Sequence, residues 1–224
     1  KSIEQNLEPL QRYPQTAAYF LPDGKPLAAG TVLKNPEFAR SVRLLAEKGS
    51  MPFYQGAQAQ NIVRAVTGAV DNPGKISLSD LKNYRVIERQ PVCAPYREYE
   101  VCGMGAPSSG AIALGEILGV LQNQDMKALG SENIHSWRWI GDASRIAFAD
   151  RDHYIGDPAF VNVPTRALIS QAYLKPRAEE IRQADKALEN IQAGKFGKKY
   201  AQGMAVELPS TSHLVVVDKD GNVV

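Results

Sequence analysis

Cysteine, histidine and long apolar runs are all scarce in this chain of 224 residues, and each shortage removes a class of function. The two cysteines and His135, His153 and His213 have no ligand-like spacing, so no metal site is expected. No apolar run approaches the roughly 18 to 20 residues that a membrane-crossing helix needs. Lys1-Ser2-Ile3-Glu4 lacks the basic-then-apolar pattern of a secretion signal, so an exported protein would carry that signal outside this stretch. Basic tracts are missing too. The 26 Lys and Arg residues are spread among 24 Asp and Glu, and nothing marks a nucleic-acid or anionic-membrane partner. There is no internal repeat.

What is present is an ordinary globular composition, 44% apolar and 22% charged, enough for one large domain or two small ones with a real core. Residues 2–20 read as a helix broken near Pro14, followed by a Leu21-Pro22-Asp23-Gly24 turn. Asn35-Pro36-Glu37 is a strong helix start, and Phe38, Val42 and Leu45 give an apolar stripe, expected to pack on one face, that ends at Gly49. A second helix is predicted over 52–70, stopped by Asn72-Pro73-Gly74, and a short third near Ser77-Leu78-Ser79-Asp80. Residues 86–104 alternate well enough for two or three short strands. Ala111 to Leu121 reads as an apolar helix buried nearly all round, and a long helix follows Ser131-Glu132-Asn133 with Ile134, Trp137, Ile140, Ala143 and Ile146 as its core stripe. A loop and another helix fill 164–181, and the polar, Lys-rich stretch 183–203 reads as an exposed connection. Leu214 to Val217 is a β-branched run before an Asp220-Gly221-Asn222 turn, the pattern of a buried strand.

Several stretches carry residues with chemistry. A hairpin closing on Arg97-Glu98 puts Cys93 opposite Cys102, within reach of a disulfide, and the sequence leaves a bridge and a pair of half-buried thiols equally open. Ser79-Asp80-Leu81-Lys82 fits a Ser-x-x-Lys pattern, but Ser79 is better read as a helix N-cap. The turn Pro107-Ser108-Ser109-Gly110 opens a buried helix, where free backbone N–H groups can meet an anion or where the serines simply cap. Capping is the favoured role. Asp150, Asp152 and Asp157 lie beside Arg151 and are read as structural ion-pair partners. Finally, Ser210-Thr211-Ser212-His213 joins a hydroxyl-rich loop to the last β-branched run; by itself it is a loop before a strand.

The order of these segments alters that last reading. Phe20-Leu21-Pro22-Asp23-Gly24-Lys25-Pro26-Leu27, Phe53-Tyr54-Gln55-Gly56, Leu78 to Tyr84, Pro107-Ser108-Ser109-Gly110, Tyr154-Ile155-Gly156-Asp157-Pro158 and Thr211-Ser212-His213-Leu214 follow one another as in gamma-glutamyltransferases, also called gamma-glutamyl transpeptidases, which the chain resembles over nearly its whole length. The resemblance implies an α+β fold, part of the αββα sandwich of N-terminal-nucleophile hydrolases, mainly helical in this stretch with a few short strands. It implies that a precursor cuts itself between Ser210 and Thr211, that residues 1–210 belong to the large subunit and 211–224 begin the small one, and that Thr211 is the nucleophile. Ser108, Ser109 and Gly110 would form a turn near the substrate. Glutathione or another gamma-glutamyl compound would be the donor, water or an amino acid or peptide the acceptor, and the other partners would be the remaining large- and small-subunit segments. No cofactor is implied. The location would be periplasmic or extracellular.

This sequence has Ser212 where the family more often has Thr, Ala111 where a second Gly is usual and Ala106 where a further Pro is usual; His213 is read as structural. The resemblance also implies that the arginine holding the substrate α-carboxylate precedes Lys1, and that the α-amine and oxyanion groups follow Val224. The chain alone is therefore expected to be inactive, with its last strand lacking sheet neighbours. Two alternatives share the residues: a related acylase acting on a cephalosporin side chain or a capsule or peptide transpeptidase, and a non-catalytic folding or interaction module that associates with itself through unpaired strand edges.

Overall fold

The computed structural model describes residues 2–197, 200 and 214–223. The chain divides into two compact units, Lys1–Val86 and Ile87–Val224, each described by itself. The first is helical. Its opening helix is broken twice rather than once, into α1 (Ser2–Gln5), α2 (Leu7–Gln11) and α3 (Pro14–Phe20), before the Pro22–Gly24 turn. In α4 (Pro36–Lys48) the Asn35 side chain accepts the Phe38 N–H at 2.8 Å, and Gly49, at φ 68°, closes the other end. The expected boundaries hold, but Phe38 and Val42 are exposed within this chain. The helix expected over 52–70 is two helices, α5 (Met51–Gln55) and α6 (Ala57–Thr67), parted at Gly56, whose extended backbone interrupts the helical path.

The short helix α7 (Leu78–Asn83) is capped by Ser77, not Ser79. Ser77 Oγ accepts the Asp80 N–H at 3.2 Å while Asp80 returns its carboxylate to the Ser77 N–H at 2.8 Å, a reciprocal box that also lowers the Asp80 pKa. Ser79 lies inside the helix and accepts from Asn83. Ser77→Ala is expected to cost about 1 kcal/mol of stability in urea unfolding, whereas Ser79→Ala should change little; equal losses would contradict this assignment.

The second unit begins with a hairpin of two strands, not three, β1 (Val92–Tyr96) and β2 (Tyr99–Gly103), with Cys93 registered against Cys102. Their sulfurs are joined in a disulfide. Helix α8 (Gly110–Leu121) crosses the hairpin closely: a Cβ on Gly115 would lie 2.9 Å from that of Ala94, and one on Gly119 would lie 2.3 Å from Leu174. These two glycines, one turn apart, let β1 and a later helix approach α8 on the same side.

After α9 (Met126–Leu129) comes α10 (Ile134–Tyr154), 21 residues long and capped by Asn133. Its core face is Trp139, Ala143, Ile146 and Ala147, while Ile134 and Trp137, expected in the core, are exposed. Helices α11 (Thr165–Leu168) and α12 (Gln171–Gln183) complete the unit, and Leu174, Ala178 and Ile181 of α12 join Val120, Trp139, Ala143 and Ile146 in one cluster. The polar stretch after α12 is not an exposed connection as far as it is described. Leu188 and Ile191 pack on that cluster, and Ala193, Phe196 and Tyr200 on a second one around Ile112, Tyr154 and Leu168. Leu214 to Val217 is exposed rather than buried, with a bridge from Val217 to Val223 around a turn organised by Asp218. No helix among the described residues is long and apolar enough to cross a membrane.

Candidate functional site

Ser210 and Thr211 lie outside the described residues. The Ser108-Ser109-Gly110 turn is described. Ser109 occupies the N-cap position of α8, yet its side chain makes no capping bond; its carbonyl accepts the Ala113 N–H at 2.9 Å. The capping role favoured from sequence is therefore not what these hydroxyls perform, and Ser108 is exposed. Among the described residues, the cysteine hairpin also holds the one group with metal-ligand proximity, Cys93, Glu100 and Cys102, but both sulfurs are committed to the disulfide. A broad recess in the first unit, lined by Gln15, Thr16, Tyr19, Asn35 and Arg64, contains none of the expected residues.

The concentration of buried polar chemistry lies elsewhere, and the sequence reading missed most of it. Glu116, the only acid in an otherwise apolar α8, is fully buried, and neither carboxyl oxygen has a hydrogen-bond partner of ordinary geometry. Burial first, and the charge of Asp150 second, push its pKa up to about 11, so at neutral pH it stays protonated. Asp150, also fully buried, is not an ion-pair partner of Arg151. Its carboxylate accepts the Tyr173 hydroxyl at 2.5 Å and the Gly194 N–H at 2.7 Å. Tyr173 is in turn held protonated by burial and by that bond. The signal available in sequence was a lone Glu inside an apolar helix.

Two turns earlier on α10, Asp142 is a buried carboxylate of the expected kind. Arg145 meets it at 2.8 Å and Arg138 at 3.7 Å, and it also accepts the Leu188 N–H at 3.0 Å. Of the other two acids, Asp152 faces Arg151 at 3.5 Å and Asp157 caps its own turn through the Ala159 N–H. The Arg177 guanidinium also acts on Glu116 and Tyr173, partly offsetting the burial that raises both. The groups of this buried cluster can hold backbone and protons in place.

Comparison with known proteins adds what this geometry does not carry. A family model described as gamma-glutamyltranspeptidase matches residues 1–224. A glutathione hydrolase proenzyme of Escherichia coli (strain K12) is 37% identical over 218 residues, covering 97% of this chain and 36% of that protein. An acylase ACY 1 proenzyme of Pseudomonas sp. (strain V22) is 37% identical over 224 residues, covering 99% of this chain and 38% of that one. The crystal structure of Helicobacter pylori gamma-glutamyltranspeptidase superposes with a TM-score of 0.77 at 32% identity, over 86% of this chain and 55% of that one. The chain thus spans little more than a third of the length of these curated relatives.

Proposed function

Because the chain belongs to the gamma-glutamyltranspeptidase family, an N-terminal-nucleophile fold of the α+β class, we propose that it is part of a precursor that cleaves itself between Ser210 and Thr211 and then transfers gamma-glutamyl groups. The observation that supports this most is the family match over residues 1–224, a range that includes Ser210-Thr211-Ser212. In the first reaction the Thr211 hydroxyl attacks the Ser210 carbonyl, the peptide shifts to an ester, and water opens it. The C-terminal acid of Ser210 and a free α-amine on Thr211 result. That amine, with an ordinary pKa of about 7.7 to 8.0, takes the proton of the same hydroxyl when it attacks a donor such as glutathione, and the acyl-enzyme passes to water or to an amino acid or peptide. Residues up to Ser210 then form large-subunit sequence and those from Thr211 the small subunit. The Ser108-Ser109-Gly110 turn, with Ser108 exposed, Ser109 half-buried and the Ser109 hydroxyl free of a capping role, is assigned to the substrate side. We place the protein in the periplasm or outside the cell, where a disulfide such as Cys93–Cys102 persists.

A related acylase activity is the second reading, since the acylase relative is as similar in sequence as the hydrolase. The test is the intact mass of the precursor followed over time, with donors compared afterwards. Two polypeptides, the shorter beginning at Thr211, and turnover of a gamma-glutamyl anilide are expected. A break elsewhere would remove the cleavage assignment, and preference for an acylated cephalosporin over the gamma-glutamyl donor would favour the acylase.

A further inference from the structure

The β1–β2 hairpin has two unlike faces, because side chains alternate along each strand. Ala94 is 2% exposed against α8, while Val92 packs on the cluster around Ile112 and Tyr96 on the one around Val120. Cys93 and Pro95 take the opposite face, with their register partners Cys102 and Glu100. The bridge thus sits on the outside of a hairpin that its inner face already holds, and opening it leaves that packing in place. Its sulfurs are not equivalent: Cys102 is exposed within this chain and Cys93 is half-buried. The charge beside them is one-sided. Glu100 Oε2 lies 3.8 Å from the Cys102 sulfur, a contact without a hydrogen bond, since a bridged sulfur carries no proton. Arg97, the only cation between Val92 and Gly103, turns away from it. The Arg97 guanidinium sits 5.4 Å from the centre of the Tyr96 ring and reaches the Gln124 carbonyl at 3.5 Å. A small thiol attacking the outer sulfur therefore arrives beside a carboxylate that no cation of the hairpin offsets.

We propose that Cys102 is a site of thiol–disulfide exchange and that Glu100 selects its partner, favouring small aminothiols over anionic thiols. In the step, the thiolate of the aminothiol bonds to the Cys102 sulfur and the Cys93–Cys102 bond breaks. The electron pair leaves on the Cys93 sulfur, which takes a proton from water, and no other oxidant or reductant is needed. An ammonium two carbons from the incoming sulfur can meet Glu100 as the new bond forms, whereas a thiol bearing a carboxylate is repelled. Such an aminothiol is what the proposed reaction would release from glutathione, because removing the gamma-glutamyl group frees the ammonium beside the cysteine thiol; the exchange itself does not rest on that reading. The hairpin register keeps the Cys93 thiol opposite Cys102. The bridge therefore re-forms and expels the aminothiol once its supply falls.

The experiment treats the full-length protein, as wild type and as Glu100→Gln, with cysteamine and with mercaptoacetate in separate arms at one pH. Samples are quenched with acid at intervals, free thiols are alkylated, and the adduct is located by peptide mass. Comparing the ratio of the two rates between the two proteins cancels the different intrinsic reactivities of the probes. Expected is the adduct on Cys102 with the alkyl label on Cys93, and a preference for cysteamine over mercaptoacetate that falls roughly 3- to 10-fold in Glu100→Gln, the size of one exposed charge acting on probes of opposite sign. The same fall is expected for wild type in about 1 M salt, where the screening length is about 3 Å. An unchanged preference in Glu100→Gln overturns the selection, and an adduct on Cys93 overturns the choice of sulfur. A bridge that neither probe opens in the folded protein overturns the whole proposal. None of these readouts involves cleavage at Ser210–Thr211 or gamma-glutamyl turnover, so failure of the proposed function leaves them standing.

Discussion

On the proposed function, a precursor carrying Thr211→Ala is expected to stay whole at the Ser210–Thr211 bond, and its gamma-glutamyl turnover to fall by roughly three orders of magnitude or more. The effect is large because one hydroxyl is asked to serve twice. Without it no ester forms, so the α-amine of residue 211 remains an amide and no general base is released; even a chain cut by other means would present an amine with no oxygen to activate. Thr211→Ser should retain both reactions at reduced rate, since it keeps the oxygen and loses only the methyl group. In processed wild type, kcat/KM should rise with pH through about 8 as the α-amine deprotonates. Intact mass and anilide hydrolysis measure these outcomes, and a Thr211→Ala precursor that still processes would end the assignment.

Glu116→Gln is expected to stabilise the protein at neutral and alkaline pH, against the usual direction of core substitutions. In the folded chain Glu116 keeps its proton up to about pH 11, whereas its ordinary value is 4.5. Between these values the folded state binds one more proton than the unfolded state, so this contribution is fully present below about pH 4.5 and is lost as pH rises, by about 1.4 kcal/mol per unit. Gln has the same shape and is neutral at every pH. The variant should therefore match wild type near pH 4.5 and exceed it by a few kcal/mol near pH 8. Urea unfolding of both proteins from pH 5 to 9 gives the difference directly, and a difference that does not grow with pH would show that Glu116 is not buried as a neutral acid.

Some of this could be read from local sequence because its causes are local. Asn35-Pro36 and Gly49 bound a helix through bonds made within one turn, and the register of Cys93 against Cys102 follows from a two-residue loop. The same locality misled at Ser79, since Ser77 two positions earlier completes the box with Asp80. Glu116 is passed over in sequence as one acid in an apolar run, and the groups that act on it, Asp150 and Arg177, lie on helices far along the chain. The stretch after α12 was the least legible part. Its polar side chains suggest exposure, while what holds it is the backbone at Leu188, Gly194 and Phe196 together with the few apolar side chains that reach the core.

The family came from the sequence alone, because a fixed order of short segments survives as text, and the proposal of Thr211 rests on that order. The tertiary structure alone decided which acids are buried, which one keeps its proton, and which stretch is lashed to α10. Those outcomes depend on groups brought together across dozens of residues, where burial raises the cost of charge and rewards any backbone N–H that reaches a carboxylate.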